Sequence, residues 1–316
     1  PLARRWAPTR AAAASLLQPR RTIHQPKSGD TYGARVLRSV LYVPGSNPRA
    51  MAKAPSLDCD AFVLDLEDAV SPDSKPAARK SVVEAMRSGV FEGRQVAIRI
   101  NALSTAWGAD DLEAVMACNP MAIVLPKVER PDEVTRVEAA CRVSTPRCDS
   151  ALWAMIETPL GVMNANAIAS STRRLTALVM GTADLGKDLN AWHTPDRMPF
   201  MTSLQLVVLA ARAHRKVALD GIHVSLDDEP GLLSSCMQAR AMGFDGKTLI
   251  HPSQIYHANA AFTPTDEEVE HARRVVDAYE KARQAGSGVT VVDGKLVEHL
   301  HVESAMRVLE LWNLTK

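Results

Sequence analysis

Eight short apolar runs alternate with segments of helical spacing along most of this chain. The runs are rich in β-branched and aliphatic residues and fall at 39–43, 61–66, 95–100, 122–125, 151–156, 177–180, 216–222 and 247–250. The predicted helices between them include 75–86, 110–117, 131–143, 161–168, 203–214 and 230–242. Continuous apolar strands are typical of a parallel sheet covered by helices, and eight strand–helix units predict a closed (β/α)8 TIM barrel. A doubly wound open sheet is the alternative, which the lack of a GxGxxG motif after the first run disfavours.

The composition is that of an enzyme-sized protein with a large apolar core. Of the 316 residues, 46% are hydrophobic, and the formal net charge is +1. A charge so close to zero creates no field that would favour nucleic acid, and no apolar stretch approaches the roughly 20 residues of a membrane-spanning helix. We therefore expect neither nucleic acid nor membrane as a partner. The five cysteines contain no CxxC pair, which predicts reduced, mostly buried thiols.

The first 28 residues differ in composition from the rest of the chain. They contain six basic residues, and no acidic residue precedes Asp30. An arginine-rich and acid-free segment is typical of a transit peptide, so we predict a mitochondrial address, with a plastid as the alternative destination. A disordered basic tail is the other interpretation. We assign 1–33 to this segment, 34–262 to the barrel and 263–316 to a C-terminal segment.

The pattern changes after the eighth run. Two helical stretches, 265–284 and 301–311, flank a Gly-Ser hinge and a hairpin-like strand in GSGVTVVDGKLVEHL. An appendage of this kind can close over a barrel mouth or reach a neighbouring subunit. The sequence therefore predicts a small helical lid or oligomer-forming segment at the C-terminus.

Polar residues follow nearly every predicted strand, and the chemistry of such a barrel lies at the carboxyl ends of its strands. The sequence places there Tyr42, Asp65, Glu67, Asp68, Arg99, Asn101, Lys127, Glu157, Asp184 and His251. Acidic oxygen ligands without a cluster of His or Cys favour a hard cation such as Mg²⁺. We predict that Glu157 and Asp184 bind the metal and that Arg99 grips a substrate carboxylate beside it. A plain salt bridge between Arg99 and an acid is the alternative.

Seven motifs give the chain a family resemblance. In chain order they are SVLYVPGS (39–46), AFVLDLEDAV (61–70), VAIRIN (96–101), LPKVE (125–129), IETPLG (156–161), GTADLGKDL (181–189) and GFDGKTLIHPSQI (243–255). Together they resemble the citrate lyase β-subunit-like family of CoA-ester lyases, which includes malyl-CoA and citramalyl-CoA lyases. The resemblance implies a Mg²⁺-dependent carbon–carbon lyase that cleaves a 3-hydroxyacyl-CoA ester into acetyl-CoA and a 2-oxo acid, usually as a homotrimer or a dimer of trimers.

The resemblance also implies roles for individual residues. Glu157 and Asp184 correspond to the metal ligands and Arg99 to the arginine that holds the substrate carboxylate. Glu67 and Asp68 correspond to acids that hold metal-bound water. The positions that contact CoA correspond to Tyr42, Arg49 and Lys53. The segment near the acyl group corresponds to Ile250 and His251. Because Arg49 and Lys53 lie four residues apart, a helical turn would place both cations on one face, suited to the phosphates of CoA. A solvated basic face is the alternative.

The chain departs from the family pattern near its C-terminus. The family carries a catalytic aspartate in a stretch like G-x-M-[IV]-D, contributed across a subunit interface, and Glu298 stands at that position in DGKLVEHLHVESA. Cleavage leaves an enolate carbon that a positioned carboxyl group must protonate. We predict that Glu298 does so, with an exposed helix-starting acid as the alternative and Asp65, Glu67 and Asp68 as substitutes for the role.

Three classes of function remain open from the sequence. The first is a CoA-ester lyase, or the reverse condensing enzyme, with malyl-CoA or citramalyl-CoA as substrate and pyruvate or glyoxylate as the oxo acid. The second is a citrate lyase β-type subunit that acts on an acyl-carrier-protein thioester. The third is a non-catalytic protein that binds CoA or an oxo acid.

Overall fold

The computed structural model describes residues 36–144 and 147–316, and its main body is a closed barrel of eight parallel strands. The strands are β1 (Ser39–Pro44), β2 (Ala61–Asp65), β3 (Gln95–Arg99), β4 (Ala122–Leu125), β5 (Ala151–Ile156), β6 (Leu175–Met180), β7 (Val217–Asp220) and β8 (Gly246–Leu249). The predicted TIM barrel is confirmed. The predicted transit peptide, 1–33, lies outside the described residues.

The strands pair in the order in which they occur along the chain. β1 closes the barrel by pairing with β8, in a register that joins Val40 to Thr248 and Leu41 to Leu249. Nearly every strand residue is buried, because one face of each strand fills the barrel interior and the other lies under helices. All eight strands run in one direction, so their carboxyl ends meet at a single rim.

Twelve helices accompany the strands in the described part of the chain. They are α1 (Pro48–Lys53), α2 (Lys75–Arg87), α3 (Gly108–Cys118), α4 (Pro131–Val143), α5 (Pro159–Met163), α6 (Ala165–Ser170), α7 (Thr182–Leu189), α8 (Met201–Ala213), α9 (Glu229–Met242), α10 (Ile255–Phe262), α11 (Asp266–Gln284) and α12 (His299–Leu314). None of the described helices combines the length and the apolar content that a membrane span requires.

The single helix that we predicted over 161–168 is instead two short helices, α5 and α6. The break lies at Asn164, whose backbone is not helical, with φ of −98° and ψ of 5°. The Asn164 side chain donates a hydrogen bond to the carbonyl of Glu129 at 2.8 Å. This bond ties the break to the loop after β4, and the apolar spacing of the segment gave no sign of it.

The C-terminal segment has a small apolar core of its own. It consists of α11, a hairpin of β9 (Thr290–Val292) and β10 (Lys295–Val297), and α12. The hairpin turns at Asp293 and Gly294, which both have positive φ, as its tight turn requires. The core residues are Ala272, Val275, Tyr279, Val292, Val297, Val302 and Ala305. An ion pair of 2.7 Å between Arg240 on α9 and Glu268 links the segment to the barrel.

Candidate functional site

A cavity of about 290 Å³ opens at the carboxyl ends of the strands. Six of the predicted site residues line it: Tyr42, Asp68, Arg99, Glu157, Asp184 and Ile250. A second cavity, of about 620 Å³, is lined in part by Glu67 and Lys127. The structure therefore brings most of the predicted site together at one rim.

Arg99 ends β3 and is buried inside the barrel mouth. Its Nε and Nη2 atoms bind the two carboxylate oxygens of Asp65, at the end of the neighbouring strand β2, at 2.6 Å each. Burial alone would raise the pKa of Asp65, but the charge and hydrogen bonds of Arg99 outweigh it and hold that pKa below its ordinary value. The Asp65 oxygens also accept hydrogen bonds from the backbone N–H groups of Glu67 and Ala69. The ion pair thus fixes the loop after β2.

The remaining edge of Arg99 faces the other acids of the mouth. Its Nη1 atom lies 2.9 Å from Oε2 of Glu67 and 3.5 Å from Oδ2 of Asp68. The guanidinium also lies over the ring of Tyr42, 4.8 Å from its centroid. Asp65 occupies Nε and Nη2, so a substrate carboxylate would contact Nη1 and share it with Glu67 and Asp68. The salt bridge that we kept as an alternative for Arg99 is present.

Glu157 follows β5 and is almost completely buried, with 2% of its surface exposed. One oxygen, Oε1, accepts a hydrogen bond of 2.8 Å from the backbone N–H of Lys127. A Cβ atom at Gly181 would lie 2.3 Å from the other oxygen, so only a glycine at this position leaves room for the carboxylate. Burial raises the pKa of Glu157 to about 7, the charge of Glu67 adds to the rise, and Arg99 opposes it.

Asp184 lies in the first turn of α7, the helix that follows β6. Its side chain is partly exposed and faces the same cavity as Glu157. A carboxylate in the first turn of a helix is stabilised by the helix dipole. Because β5 and β6 are neighbouring strands, the two predicted metal ligands come from adjacent units of the barrel.

Lys127, after β4, links the acids to one another. Its Nζ atom lies 2.6 Å from Oε1 of Glu67, 3.3 Å from Oδ2 of Asp184 and 3.8 Å from Oδ1 of Asp68. Its backbone is left-handed, with φ of 50°. Burial would lower the pKa of Lys127, but the hydrogen bond and charge of Glu67 outweigh it and raise that pKa above its ordinary value. Sequence reasoning placed Lys127 at the mouth and gave it no role.

The residues present fit a hard divalent cation. Glu157 and Asp184 offer carboxylate oxygens that face an open cavity, and a buried carboxylate with a raised pKa is stabilised by a nearby cation. Oε2 of Glu67 is buried without a hydrogen bond, although Arg99 lies close to it. In residues 36–144 and 147–316, no three acidic, His or Cys side chains form a ready-made metal cage. Two carboxylates with space for several waters is the arrangement that Mg²⁺ usually takes.

A buried network of hydrogen bonds fixes the loop after β2. Nζ of Lys75 donates hydrogen bonds to the carbonyls of Leu66 and Glu67, at 3.1 and 3.0 Å. The side chain of Asn101 donates to the same Leu66 carbonyl at 2.8 Å and to Asp111 at 2.6 Å. These bonds fix the backbone from which Glu67 and Asp68 project into the mouth.

Four predicted site residues do not line either cavity. Arg49 and Lys53 are both exposed on α1, and their contact with CoA stays a prediction. His251 is exposed, and its Nδ1 atom lies 2.8 Å from the hydroxyl of Ser253, where it caps a short 3₁₀ turn. Glu298 is the N-cap residue of α12, in the C-terminal segment. The carboxylate of Glu298 therefore does not enter the cavity of its own chain, and its role stays a prediction.

Comparison with known proteins places this geometry in a family. The family model for HpcH/HpaI aldolase/citrate lyase matches residues 38–252. A (3S)-malyl-CoA thioesterase of Cereibacter sphaeroides is 45% identical over 276 residues, which cover 87% of this chain and 94% of that protein. The citrate lyase subunit beta of Escherichia coli is 34% identical over 282 residues, which cover 87% of this chain and 93% of that protein.

A solved structure of CitE from Mycobacterium tuberculosis, in complex with magnesium, acetoacetate and coenzyme A, has a similar fold. It superposes with a TM-score of 0.74 at 29% identity, over 89% of this chain and 99% of that one. The chain therefore belongs to the HpcH/HpaI aldolase/citrate lyase family, whose name describes enzymes that cleave or form carbon–carbon bonds.

Proposed function

We propose that this protein is a Mg²⁺-dependent lyase that cleaves, or forms, the carbon–carbon bond of a 3-hydroxyacyl-CoA ester such as malyl-CoA or citramalyl-CoA. The observation that carries the proposal is the convergence of Glu157, Asp184 and Arg99 on one cavity at the barrel mouth. Support comes from relatives that are named for malyl-CoA and citrate, and from a related structure that holds magnesium and coenzyme A. The products of cleavage are acetyl-CoA and a 2-oxo acid.

The size of the cavity suits the acyl part of such a substrate. At about 290 Å³ it lies at the lower end of the range for small-molecule sites, so the CoA chain must extend outside it. The exposed cations Arg49 and Lys53 on α1 follow β1, which carries Tyr42 at the mouth. We propose that they bind the phosphates of CoA there.

The reaction involves two proton transfers and two electron-pair shifts, one of which turns the 3-hydroxyl into the carbonyl of the oxo acid. A base removes the proton of the 3-hydroxyl, the bond between C2 and C3 breaks, and its electron pair remains on C2 as the enolate of acetyl-CoA. Bound Mg²⁺ would supply positive charge next to the hydroxyl oxygen and the carboxylate of the departing oxo acid. Glu157 and Asp184 would hold the ion, and Nη1 of Arg99 would bind that carboxylate. A carboxylic acid then protonates C2, and we assign this step to Glu298 of a neighbouring chain.

Hydrolysis of the thioester is a second candidate, which one observation favours. The relatives at 45% identity, matched over 94% of their length, are named (3S)-malyl-CoA thioesterases. In that reaction water attacks the thioester carbonyl, the carbon–sulfur bond breaks, and malate and CoA are released. The same metal site and Arg99 would bind the malyl group in both reactions, so the two candidates share a substrate and differ in the bond that breaks.

One assay separates the candidates. Purified protein is incubated with malyl-CoA and, separately, with citramalyl-CoA, and free thiol and 2-oxo acid are measured together, with and without Mg²⁺. We expect Mg²⁺-dependent formation of 2-oxo acid without free thiol. Free thiol with malate or citramalate would establish hydrolysis instead. Turnover of neither ester would contradict both candidates, and a citrate lyase β-type activity would then be tested with an acyl-carrier-protein thioester.

Arg99→Lys is expected to lower kcat/KM for the oxo acid in the condensation direction by roughly 10- to 100-fold. This factor corresponds to the loss of about 1.4 to 2.8 kcal/mol of charge-assisted hydrogen bonding in the transition state. A lysine cannot bind Asp65 through two nitrogens while it presents a third to the substrate. Steady-state kinetics with varied oxo acid measure the effect. Unchanged kinetics would show that Arg99 serves Asp65 alone.

Mg²⁺ binding is expected to weaken as the pH falls below about 7, because a proton competes for Glu157, whose pKa in the metal-free site is about 7. In an unfolded chain the same group titrates near pH 4.3. Between these values the folded metal-free protein keeps a proton that the unfolded chain has lost, so this group lowers metal-free stability as the pH rises through that window. Titration calorimetry should show affinity falling by up to about tenfold per pH unit, the limit for one displaced proton. Affinity that is constant down to about pH 5 would contradict the assignment.

A further inference from the structure

We propose that Lys127 is a built-in competitor of the metal: its ammonium group holds Asp184 when no cation is bound and releases Asp184 when Mg²⁺ binds. The inference rests on the metal site of the proposed function and adds a positioning residue to it. Lys127 has no role in the family assignment given above, and its contacts with the acid cluster carry the argument.

Lys127 contacts both predicted metal ligands, one through its backbone and the other through its side chain. Its N–H donates to Oε1 of Glu157 at 2.8 Å, and its Nζ atom lies 3.3 Å from Oδ2 of Asp184. The residue therefore spans the space between the two carboxylates that would share the ion. A divalent cation bound to both carboxylates would lie close to the ammonium group, and the two positive charges would repel each other.

The other contacts of Lys127 show where the ammonium group would go. Its shortest contact is with Oε1 of Glu67, at 2.6 Å, and Glu67 is mostly buried. Lys127 and Glu67 also line the second cavity, of about 620 Å³, and Asp184 is not among the residues that line it. The ammonium can thus keep Glu67 as its partner while Asp184 turns to the metal.

Asp184 pairs with a cation in the metal-free mouth and would pair with Mg²⁺ in the metal-bound one. Among the described residues, Asp184 makes one ion pair, and its partner is Lys127. Arg99 is already shared between Asp65, Glu67 and Asp68. Without Lys127 the metal-free mouth would hold several carboxylates with one guanidinium. Removal of the ammonium should therefore make the metal-free site less stable and more attractive to Mg²⁺.

The test is the affinity of the purified, metal-free protein for Mg²⁺, measured by titration calorimetry. Lys127→Met removes the charge and keeps the length of the side chain, and Lys127→Arg keeps a positive charge. The side chain is 39% exposed and its left-handed backbone does not depend on the side-chain charge, so both variants should fold. Lys187→Met is the matched control, because it removes an exposed lysine from α7, the helix that carries Asp184.

We expect Lys127→Met to bind Mg²⁺ at least about fivefold more tightly than the wild type. A fivefold change is the lower end of the affinity changes that coupled sites usually show. Lys187→Met and Lys127→Arg should stay close to the wild-type affinity. The melting temperature of metal-free Lys127→Met should fall, and saturating Mg²⁺ should raise it by more than in the wild type. A side chain that merely supported the site would weaken Mg²⁺ binding when removed, so tighter binding marks competition.

The possible failures are distinct. Unchanged or weaker Mg²⁺ binding in Lys127→Met, with clear binding in the wild type, would overturn the role of Lys127 and leave the metal site intact. If Lys127→Met does not fold, Lys127→Gln gives the same comparison. No Mg²⁺ binding by the wild type would overturn the metal site of the proposed function, and the role of Lys127 with it.

Discussion

Glu157→Gln and Asp184→Asn should each lower kcat by at least about 10³-fold, because loss of the ion removes several kcal/mol of charge stabilisation from the transition state. Both residues face the cavity at the mouth, and neither belongs to the apolar core. The two variants should therefore keep the barrel while they lose the metal. Steady-state kinetics at saturating ester and titration calorimetry with Mg²⁺ measure the two effects.

The two variants should differ in stability. Burial destabilises the charged form of Glu157, as its raised pKa shows. Replacement by a neutral glutamine should therefore leave the melting temperature of the metal-free protein unchanged or higher. Asp184→Asn instead removes the partner of Lys127. Asp188 is exposed on α7, the helix that carries Asp184, so Asp188→Asn is the matched control and should retain full activity. Near-normal turnover of either ligand variant at limiting Mg²⁺ would show that the metal binds elsewhere.

Glu298→Gln should lower kcat by about 10²- to 10⁴-fold, the range for loss of a general acid or base, while Mg²⁺ affinity stays intact. The change should not disturb α12, because the bond that caps the helix runs from the backbone N–H of Glu298 to Nδ1 of His301 at 3.0 Å. Glu303→Gln, an exposed change on the same helix, is the control. Undiminished turnover of Glu298→Gln would move the acid–base role to Asp65, Glu67 or Asp68.

Mixed oligomers test whether Glu298 acts on a neighbouring barrel. In the described structure Glu298 does not line the cavity of its own chain, which holds Arg99. An oligomer that contains both Glu298→Gln and Arg99→Ala chains should recover part of the activity, because some sites would then combine an intact Arg99 with an intact Glu298. If the residue acts within its own chain, the mixture should show no more activity than its separate components.

The barrel could be predicted from the sequence because buried parallel strands appear in it as continuous apolar runs. All residues of β2 and β4, for example, are buried, and all are apolar except Asp65, which ends its strand at the rim. Once the strands are placed, the position of a polar residue after each strand follows from chain direction alone. That is why Glu157 and Asp184 could be predicted to share a site, and why the structure brings them to one cavity.

The rest of the site depends on distances that no linear pattern records. The sequence could show that Arg99 and Asp65 end neighbouring strands, but not that Asp65 takes two nitrogens of the guanidinium. Lys127 stood in the LPKVE motif without a role, since its contacts reach residues 60 and 57 positions away. The position of Glu298 relative to another chain's barrel depends on how the subunits assemble. No local pattern in the sequence of one chain shows this.

The separate core of the C-terminal segment has a consequence for how this protein can diverge. Its seven core residues share no member with the barrel core of the described chain, and only three residues separate α10 from α11. Effects of substitutions in the two bodies on stability should therefore add, as they do for distant sites. Position 298 could then accumulate changes, and even the whole of 263–316 could be exchanged, while the barrel kept its rim. The residue assigned to protonation and the metal-binding rim would in that case be inherited as two independently replaceable parts.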